Sequence, residues 1–377
     1  MAKMYACGPD ELKREVIALG YGGVNMAVVA GTRTDGRPFV NLFTDSVGGG
    51  GARSFADGID TCSNVIAPAY GIPNVERIET LIPVLYVYRR ERPDTAGSGK
   101  WRGGLGIEYL VTPHGTDKDM NCVFFGTGSS HMETKGVHGG APGTIQRNIL
   151  LRQTDLAARF AAGHLPQDAA EIGAASVVLA EGKDVRHISP GDAWLCFCTG
   201  GGGYGDPLLR DPALVTRDVR RRLVTREEAR RNYAVVLTDD GVFDTTATAE
   251  ARAERRRERL AGGTRLGPDW PGASGFAGLP VRLALDDVIE IRDTPVGPVL
   301  GCRVCERPFG PADEDPRTRT LVIEHLLSDF SLVNHYGLED EVVVRAYCCP
   351  GCGSQFSTDV QFRNEDPHMP DMSLALT

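Results

Sequence analysis

Up to about residue 199 the apolar residues come in short runs separated by glycine, without the three-to-four-residue recurrence of a helix. The runs at 24–31, 83–88, 107–112, 122–125 and 193–198 predict strands. Several are apolar at nearly every position, which predicts a sheet covered on both faces. Glycine clusters at 48–51, 103–106 and 200–203 mark places where the chain turns tightly or another backbone comes close.

The pattern changes after residue 210. Asp211 is placed as N-cap with Pro212 at the first helical position, predicting a helix to about Leu223. Thr225-Arg-Glu-Glu228 opens a second helix with the reciprocal capping pattern of a hydroxyl and a glutamate three residues on. A third stretch, 247–260, is almost entirely Ala, Arg and Glu; with no apolar stripe it reads as a solvated connector. Gly267-Pro268 and Pro271-Gly272 then mark a loop over 262–278. Beyond it, 321–327 and 341–347 read as β-rich or mixed packing elements. The expected class is α+β: a β-rich, mixed-sheet domain with glycine-rich loops and two C-terminal helices over 1–237, a helical and Gly-Pro linker over 238–278, and a small zinc-ribbon-like domain over 279–377.

Composition narrows the setting. The 377 residues include 46 glycines and 23 prolines, an excess that favours turns and short strands over long helices. A net charge of −9 argues against wholesale binding to nucleic acid or anionic membrane. No apolar run is long enough to cross a bilayer, and the first residues lack the apolar core of a signal peptide, so a cytoplasmic protein is expected. In that compartment the ten cysteines are better read as metal ligands and buried apolar residues than as disulfides.

Cys302-Arg-Val-Cys305 and Cys349-Pro-Gly-Cys352-Gly353 are paired Cys-x-x-Cys knuckles. Two intervening residues let both sulfurs reach one ion, and Pro350, Gly351 and Gly353 supply the turn. Four thiolates make the closed arrangement of a structural zinc site, although a tetrathiolate iron site uses similar knuckles. Such a site has no open position for chemistry and contributes on the order of 10 kcal/mol to folding. Cys348 competes with Cys349 as a ligand; Cys349 gives the Pro-Gly knuckle, leaving Cys348 as a buried or free thiol.

Other motifs carry less. Asp94-Thr-Ala-Gly-Ser-Gly-Lys100-Trp101 imitates the tail of a phosphate-binding loop, but Trp101 stands where a magnesium-binding hydroxyl belongs. Gly200-Gly-Gly-Gly-Tyr-Gly205 matches a dinucleotide fingerprint, but Asp206-Pro207 separates it from the helix that should meet pyrophosphate. His114 and Asp117 read as a turn, and His131 and His138 as loop histidines exposed to solvent. The arginines from Arg210 to Arg231 alternate with acids and read as a solvated helix face. No residue is singled out as catalytic.

Gly22-Gly-Val-Asn-Met26, the 48–52 run with Asp57-Gly58, and Pro73-Asn-Val-Glu76 with Pro83 resemble the hydantoinase B/oxoprolinase family. So do the run from Arg92 through Lys100 to Gly106, Gly139-Gly-Ala-Pro-Gly143, Pro190-Gly-Asp192, and the 200–232 segment. The resemblance covers about 21–237 and corresponds to the C-terminal half of the family pattern. It implies that a catalytic metal and the ATP site lie on partner chains: a hydantoinase A-like ATPase subunit, and a chain supplying the N-terminal half of the fold. The part from 279 is similar to the small zinc-bearing subunit of acetone and acetophenone carboxylases. Together the two resemblances imply a subunit of an ATP-dependent ketone carboxylase, or alternatively of a hydantoinase- or oxoprolinase-type cyclic-amide hydrolase. The glycine loops are then expected to line a channel in which backbone amides meet anionic oxygens.

Overall fold

Among the described residues, nine strands organise the first half of the chain: β1 (Asn25–Thr32), β2 (Pro38–Phe43), β3 (Val84–Glu91), β4 (Ile107–Pro113), β5 (Met120–Gly126), β6 (Arg147–Thr154), β7 (Ala174–Ala180), β8 (Lys183–Ile188) and β9 (Ala193–Phe197). The computed structural model describes residues 10–20, 25–43, 45, 47–62, 71–126, 134–180, 182–272, 275–329 and 341–367. The strands form two sheets, ordered β2-β1-β5-β8 and β3-β4-β9-β6-β7. Every pairing is antiparallel, so the mixed sheet expected from sequence resolves into antiparallel ones. All five strands read from sequence are present; β2, β6 and β8 are additional strands whose apolar positions are interrupted by charged or amide residues, and β7 is a further one, rich in alanine.

β4 and β9 occupy the middle of the five-stranded sheet, and every residue from 107 to 112 and from 193 to 197 is buried. One face packs on the four-stranded sheet around Trp194, whose ring lies 5.0 Å from Phe43, 5.4 Å from Tyr109 and 5.2 Å from Phe124. The other face buries Leu110, Ile149, Leu195 and Phe197 beneath Leu156 of a short helix, α1 (Leu156–Ala161). The continuous apolar runs therefore belong to the sheet covered on both sides.

Among the described residues, the four-stranded sheet is covered on one side only. Register places Leu42, Val28, Val123 and Val185 in one row across all four strands. Of that row Leu42 is 44%, Val123 39% and Val185 63% exposed, and neighbouring Val40 is 72% exposed. An outward apolar row of this kind is unusual for an antiparallel sheet facing water.

Beneath the sandwich lies a core built of backbone. The run 199–205 follows β9 and is surrounded by the segments near 18–20, 49–52, 97–104 and 135–141. Successive amides of the run point to three different neighbours: Gly201 donates to the Gly104 carbonyl, Gly202 to Leu19 and Gly203 to Ala141. A direction change at each residue is the behaviour of an extended threefold helix, the polyproline II geometry, rather than of a pleated strand. Further bonds close the bundle, among them Gly104 to the Gly50 carbonyl, Gly97 to Gly201 and Ala52 to Gly202. A Cβ added at Gly49, Gly103, Gly104, Gly200, Gly201, Gly202 or Gly203 would fall within 3.0 Å of another segment's backbone. None of these glycines has a positive φ. Here glycine is required for close approach and not for its torsional freedom.

Three helices follow: α2 (Pro212–Arg220), α3 (Arg226–Tyr233) and α4 (Thr245–Gly262). Asp211 Oδ1 accepts from the Ala213 amide at 2.8 Å, as its N-cap role predicts. α2 stops short of Leu223 because Arg222 takes a left-handed conformation. The capping pattern at α3 is only half realised. Thr225 Oγ1 accepts from the Glu228 amide at 3.1 Å, but the Thr225 amide donates to Asp94 Oδ1 at 2.8 Å. Glu228 is left 3% exposed with Asn232 as its hydrogen-bond donor. Burial, then the nearby Asp94 carboxylate, pushes its carboxyl up to about 8.

A buried ion network ties α2 to the glycine core. The Arg210 guanidinium, 0% exposed, bonds Asp57 at 2.6 and 2.9 Å and Asp218 at 2.6 Å, and reaches the Lys100 carbonyl. Arg102 pairs with Asp60 at 2.7 Å, and Asp60 also accepts the Leu105 amide. Burial opposes the charge on Asp57, yet Arg210 and Arg102 hold its carboxyl below the ordinary range.

The remaining strands, β10 (Thr264–Arg265), β11 (Val281–Ala284), β12 (Ile289–Thr294), β13 (Gly297–Cys302), β14 (Pro308–Pro311), β15 (Leu321–Leu326), β16 (Val342–Cys348) and β17 (Gln355–Phe362), form antiparallel sheets ordered β11-β12-β13-β14 and β10-β15-β16-β17. The segment expected as linker contributes β10 to the second of these sheets, and Phe276 is buried against Gly301. α4 is solvated along its outer side but is not a free connector. Arg252 donates to the Arg210 and Tyr233 carbonyls, and Arg259 pairs with Asp206 at 2.9 and 3.0 Å. No helix among the described residues is long and apolar enough to cross a membrane.

Two outcomes are expected from this packing. Gly201→Ala lowers unfolding free energy in urea by about 4 kcal/mol or more, or prevents folding, because its Cβ meets the Gly50 carbonyl. Gly262→Ala, with nothing near its Cβ, is neutral or stabilising by up to about 1 kcal/mol. For Glu228, the folded chain holds a proton between pH 4.5 and about 8 that the unfolded chain releases, so stability falls as pH rises through that window. Glu228→Gln is thus expected to gain stability over wild type by a few kcal/mol, in order of magnitude, between pH 5 and 8.5. Paired thermal melts at the two pH values measure the change.

Candidate metal centre and its attachment

Each Cys-x-x-Cys knuckle is the turn of an antiparallel hairpin. Cys302 ends β13 and Cys305 lies in the turn to β14; Cys349 follows β16 and Cys352 lies in the turn to β17. The Cys302 amide donates to the Arg307 carbonyl at 2.8 Å and the Cys349 amide to the Ser354 carbonyl at 2.9 Å, closing the two turns alike. Gly353 has φ +71°, and its counterpart after the first knuckle, Glu306, has φ +55°. The Glu306 carboxylate is held by Arg292 at 2.9 Å, which helps keep a non-glycine residue in that conformation.

The four Sγ atoms lie within 4.8 Å of one another. Across the knuckles, Cys302 and Cys352 are 3.7 Å apart and Cys305 and Cys349 3.5 Å. Four thiolates tetrahedrally around zinc, with bonds near 2.3 Å, have edges of about 3.8 Å. The Gly351 amide also points at Cys349 Sγ at 3.3 Å, a donor that stabilises thiolate charge. Donor type, number and spacing fit a closed structural ion. Cys348 is outside the cluster, fully buried on the opposite side of its strand, and burial pushes its thiol up to about 12. Among the described residues no other group of three or more His, Cys, Asp or Glu is placed to hold a metal.

The centre is wired to the glycine core through polar groups. The Gly353 carbonyl accepts from Arg259 at 3.1 Å, and Arg259 is bidentate on Asp206. Asp206 also accepts the Gln355 amide at 3.0 Å. Gln355 and Thr358 of β17 donate to the Gly139 and Gly140 carbonyls at 2.6 and 2.5 Å. His138 is not the exposed loop residue expected. Its side chain is 10% exposed, its Nδ1 lies 2.8 Å from Asp286 and its ring meets Tyr204 edge-on at 5.3 Å. Lys100 of the imitation phosphate loop pairs with Asp287 at 2.8 Å.

In the 201–205 part of the run the glycine amides are not turned toward an anion. The amides of Gly201, Gly202, Gly203 and Gly205 all donate to backbone carbonyls, leaving none of the four for an anion. His114 and Asp117 are exposed on a turn, as read, and His131 lies outside the described residues. One buried acid escaped the sequence reading. Asp45, 0% exposed, accepts from Tyr86 and, at 2.9 Å, from Arg89, while its Oδ1 has no partner among the described residues. A lone aspartate after a strand carries no local signal of this environment.

Comparisons with known proteins bear on the fold, the family model on the part before the metal centre. The model of the family described as hydantoinase B/oxoprolinase matches residues 4–207. The acetone carboxylase alpha subunit of Xanthobacter autotrophicus is 30% identical over 240 residues, covering 59% of this chain and 30% of that protein. The acetophenone carboxylase delta subunit of Aromatoleum aromaticum is 28% identical over 263 residues, covering 66% and 38%. The caprolactamase subunit beta of Pseudomonas jessenii is 30% identical over 249 residues, covering 65% and 39%. The chain thus spans 30% to 39% of the length of these relatives. Nucleotide-free acetone carboxylase superposes with TM-score 0.55 at 26% identity, over 67% of this chain and 35% of that one. The P. jessenii ATP-dependent caprolactamase shares the fold at TM-score 0.50 and 22% identity, over 65% and 40%.

Metal analysis checks the centre directly. Purified chain is expected to carry one zinc, measured by mass spectrometry of the metal. Cys352→Ser should abolish stoichiometric loading, and Cys348→Ser should leave it intact.

Proposed function

Because the chain belongs to the hydantoinase B/oxoprolinase family, we propose that it is one subunit of a cytoplasmic, ATP-dependent, multi-subunit carboxylase acting on a ketone. The observation that carries this reading is the pairing of an acetone-carboxylase-like fold with a sheet face left bare. The relatives carry far more polypeptide than this chain, and the row Leu42, Val28, Val123 and Val185 is the apolar surface such polypeptide would cover. A hydantoinase A-like ATPase and a chain supplying the N-terminal half of the fold are the proposed partners, and they carry the ATP site and the catalytic metal.

In this reading Cys302, Cys305, Cys349 and Cys352 hold a structural zinc. With four sulfur ligands the ion supplies folding energy and no catalytic position. This chain's contribution is a rigid wall. Phosphorylated bicarbonate and enol intermediates are lost to water unless the chamber around them is closed, and a backbone-bonded core resists opening. The likeness to a caprolactamase subunit favours a second reading, a subunit of a cyclic-amide hydrolase.

Reconstitution with the two partner chains tests the assignment. ATP hydrolysis that depends on both bicarbonate and a ketone supports the carboxylase; turnover of a lactam without bicarbonate replaces it with the second reading. Val123→Lys with Val185→Lys is expected to leave the isolated chain's melting temperature within a few degrees and to abolish co-purification with the partners. A chain that is active alone sinks the subunit assignment.

A further inference from the structure

A sheet edge presents amides and carbonyls that another strand can pair with, and natural proteins block such edges with charge, proline or brevity. Among the described residues the four sheets have eight edge strands. Seven of them are blocked. β3 carries Arg89, Arg90 and Glu91, β8 carries Lys183, Asp184 and Arg186, β11 carries Arg282 and β17 carries Asp359. β2 begins with Pro38, β14 has proline at both ends, and β10 is two residues long.

The eighth edge, β7, has none of these devices. Ala174-Ala-Ser-Val-Val-Leu-Ala180 runs for seven residues without a charge or a proline. One side of the strand pairs with β6. On the other side, no backbone group from 175 to 179 has a partner among the described residues. Residues 175–177 are exposed, Val177 at 60%.

We propose that β7 is a self-association edge, where two copies of this chain pair antiparallel about a two-fold axis and join their five-stranded sheets. The charge pattern selects a second copy as the occupant. Around a two-fold axis each residue near the centre of the strand meets itself or a close neighbour, so any charge there would face its like. A foreign strand sets no such condition and would be recognised better by complementary charges. Centred on Val177, the pairing puts Ala175 opposite the second copy's Leu179 and Ser176 opposite its Val178, so small residues meet larger ones. The edge is distinct from the Leu42, Val28, Val123 and Val185 row, and the inference stands apart from the carboxylase reading.

Sedimentation of the full chain over a concentration series tests this, with the wild type expected to be dimeric at about 100 µM. Val177→Lys sets two ammonium groups opposite each other and should raise the dissociation constant by about tenfold or more. Because the side chain is exposed, the melting temperature should stay within a few degrees. Opposed residues of antiparallel strands lie about 4.5–5.5 Å apart at Cα, within disulfide reach. Val177→Cys should therefore cross-link two copies under mild oxidant, and Val185→Cys, 63% exposed in the wild type on β8, should not. A wild type that is monomeric at about 100 µM overturns the proposal, as does a dimer that Val177→Lys leaves intact or equal cross-linking at both positions. A monomer whose co-purification with partner chains is lost in Val177→Lys assigns the edge to a partner's strand and overturns it too.

Discussion

The structure depends on direct hydrogen bonding between backbones that carry no side chains. Around the run 199–205, extended segments approach so closely that carbonyls occupy the space a Cβ would fill. Each residue turns its amide to a different neighbour, so the bundle is bonded on several sides at once rather than along a ladder. Ordinary cores owe their rigidity to interlocked apolar side chains. This one owes it to peptide groups, each of which would cost free energy if left unpaired.

That choice dictates how everything else attaches. β4 leaves the bundle directly at Ile107, and β9 enters it at its C-terminal end, so the sandwich is continuous with it. A surface made of carbonyls and amides offers nothing for an apolar stripe to bury, and elements that dock on it do so with donors. Arg210 reaches the Lys100 carbonyl, while Gln355 and Thr358 reach Gly139 and Gly140. Arg259 brings α4 onto Asp206 at the end of the glycine run. α4 has no apolar stripe for this reason. Buried charge stays tolerable at Arg210 and Arg259 because both guanidiniums meet carboxylates and a carbonyl.

The metal unit and the bare sheet face stand at opposite levels of completeness. The cysteine hairpins are closed by their own turns, fit an ion with no open position, and sit on the glycine core through satisfied polar contacts. The four-stranded sheet presents valine and leucine to solvent across its full width. The interior is finished by its own hydrogen bonds, whereas this sheet face keeps apolar side chains in contact with solvent.

Features governed by neighbours along the chain are legible in the sequence by itself. The knuckle spacing, the caps at Asp211 and Thr225, and the strands 107–112 and 193–198 rest on turn chemistry and local patterning, and a short window of residues determines those. The glycine clusters are also visible as sites of close backbone approach, but not the partners that approach them. Tertiary structure alone decided that the amides face other carbonyls rather than a ligand, that Asp94 takes the Thr225 amide and leaves Glu228 buried, that His138 meets Asp286, and that one side of a charged helix docks. Each of these is a choice among distant acceptors of equal chemistry, and only the packed chain determines which of them comes within reach.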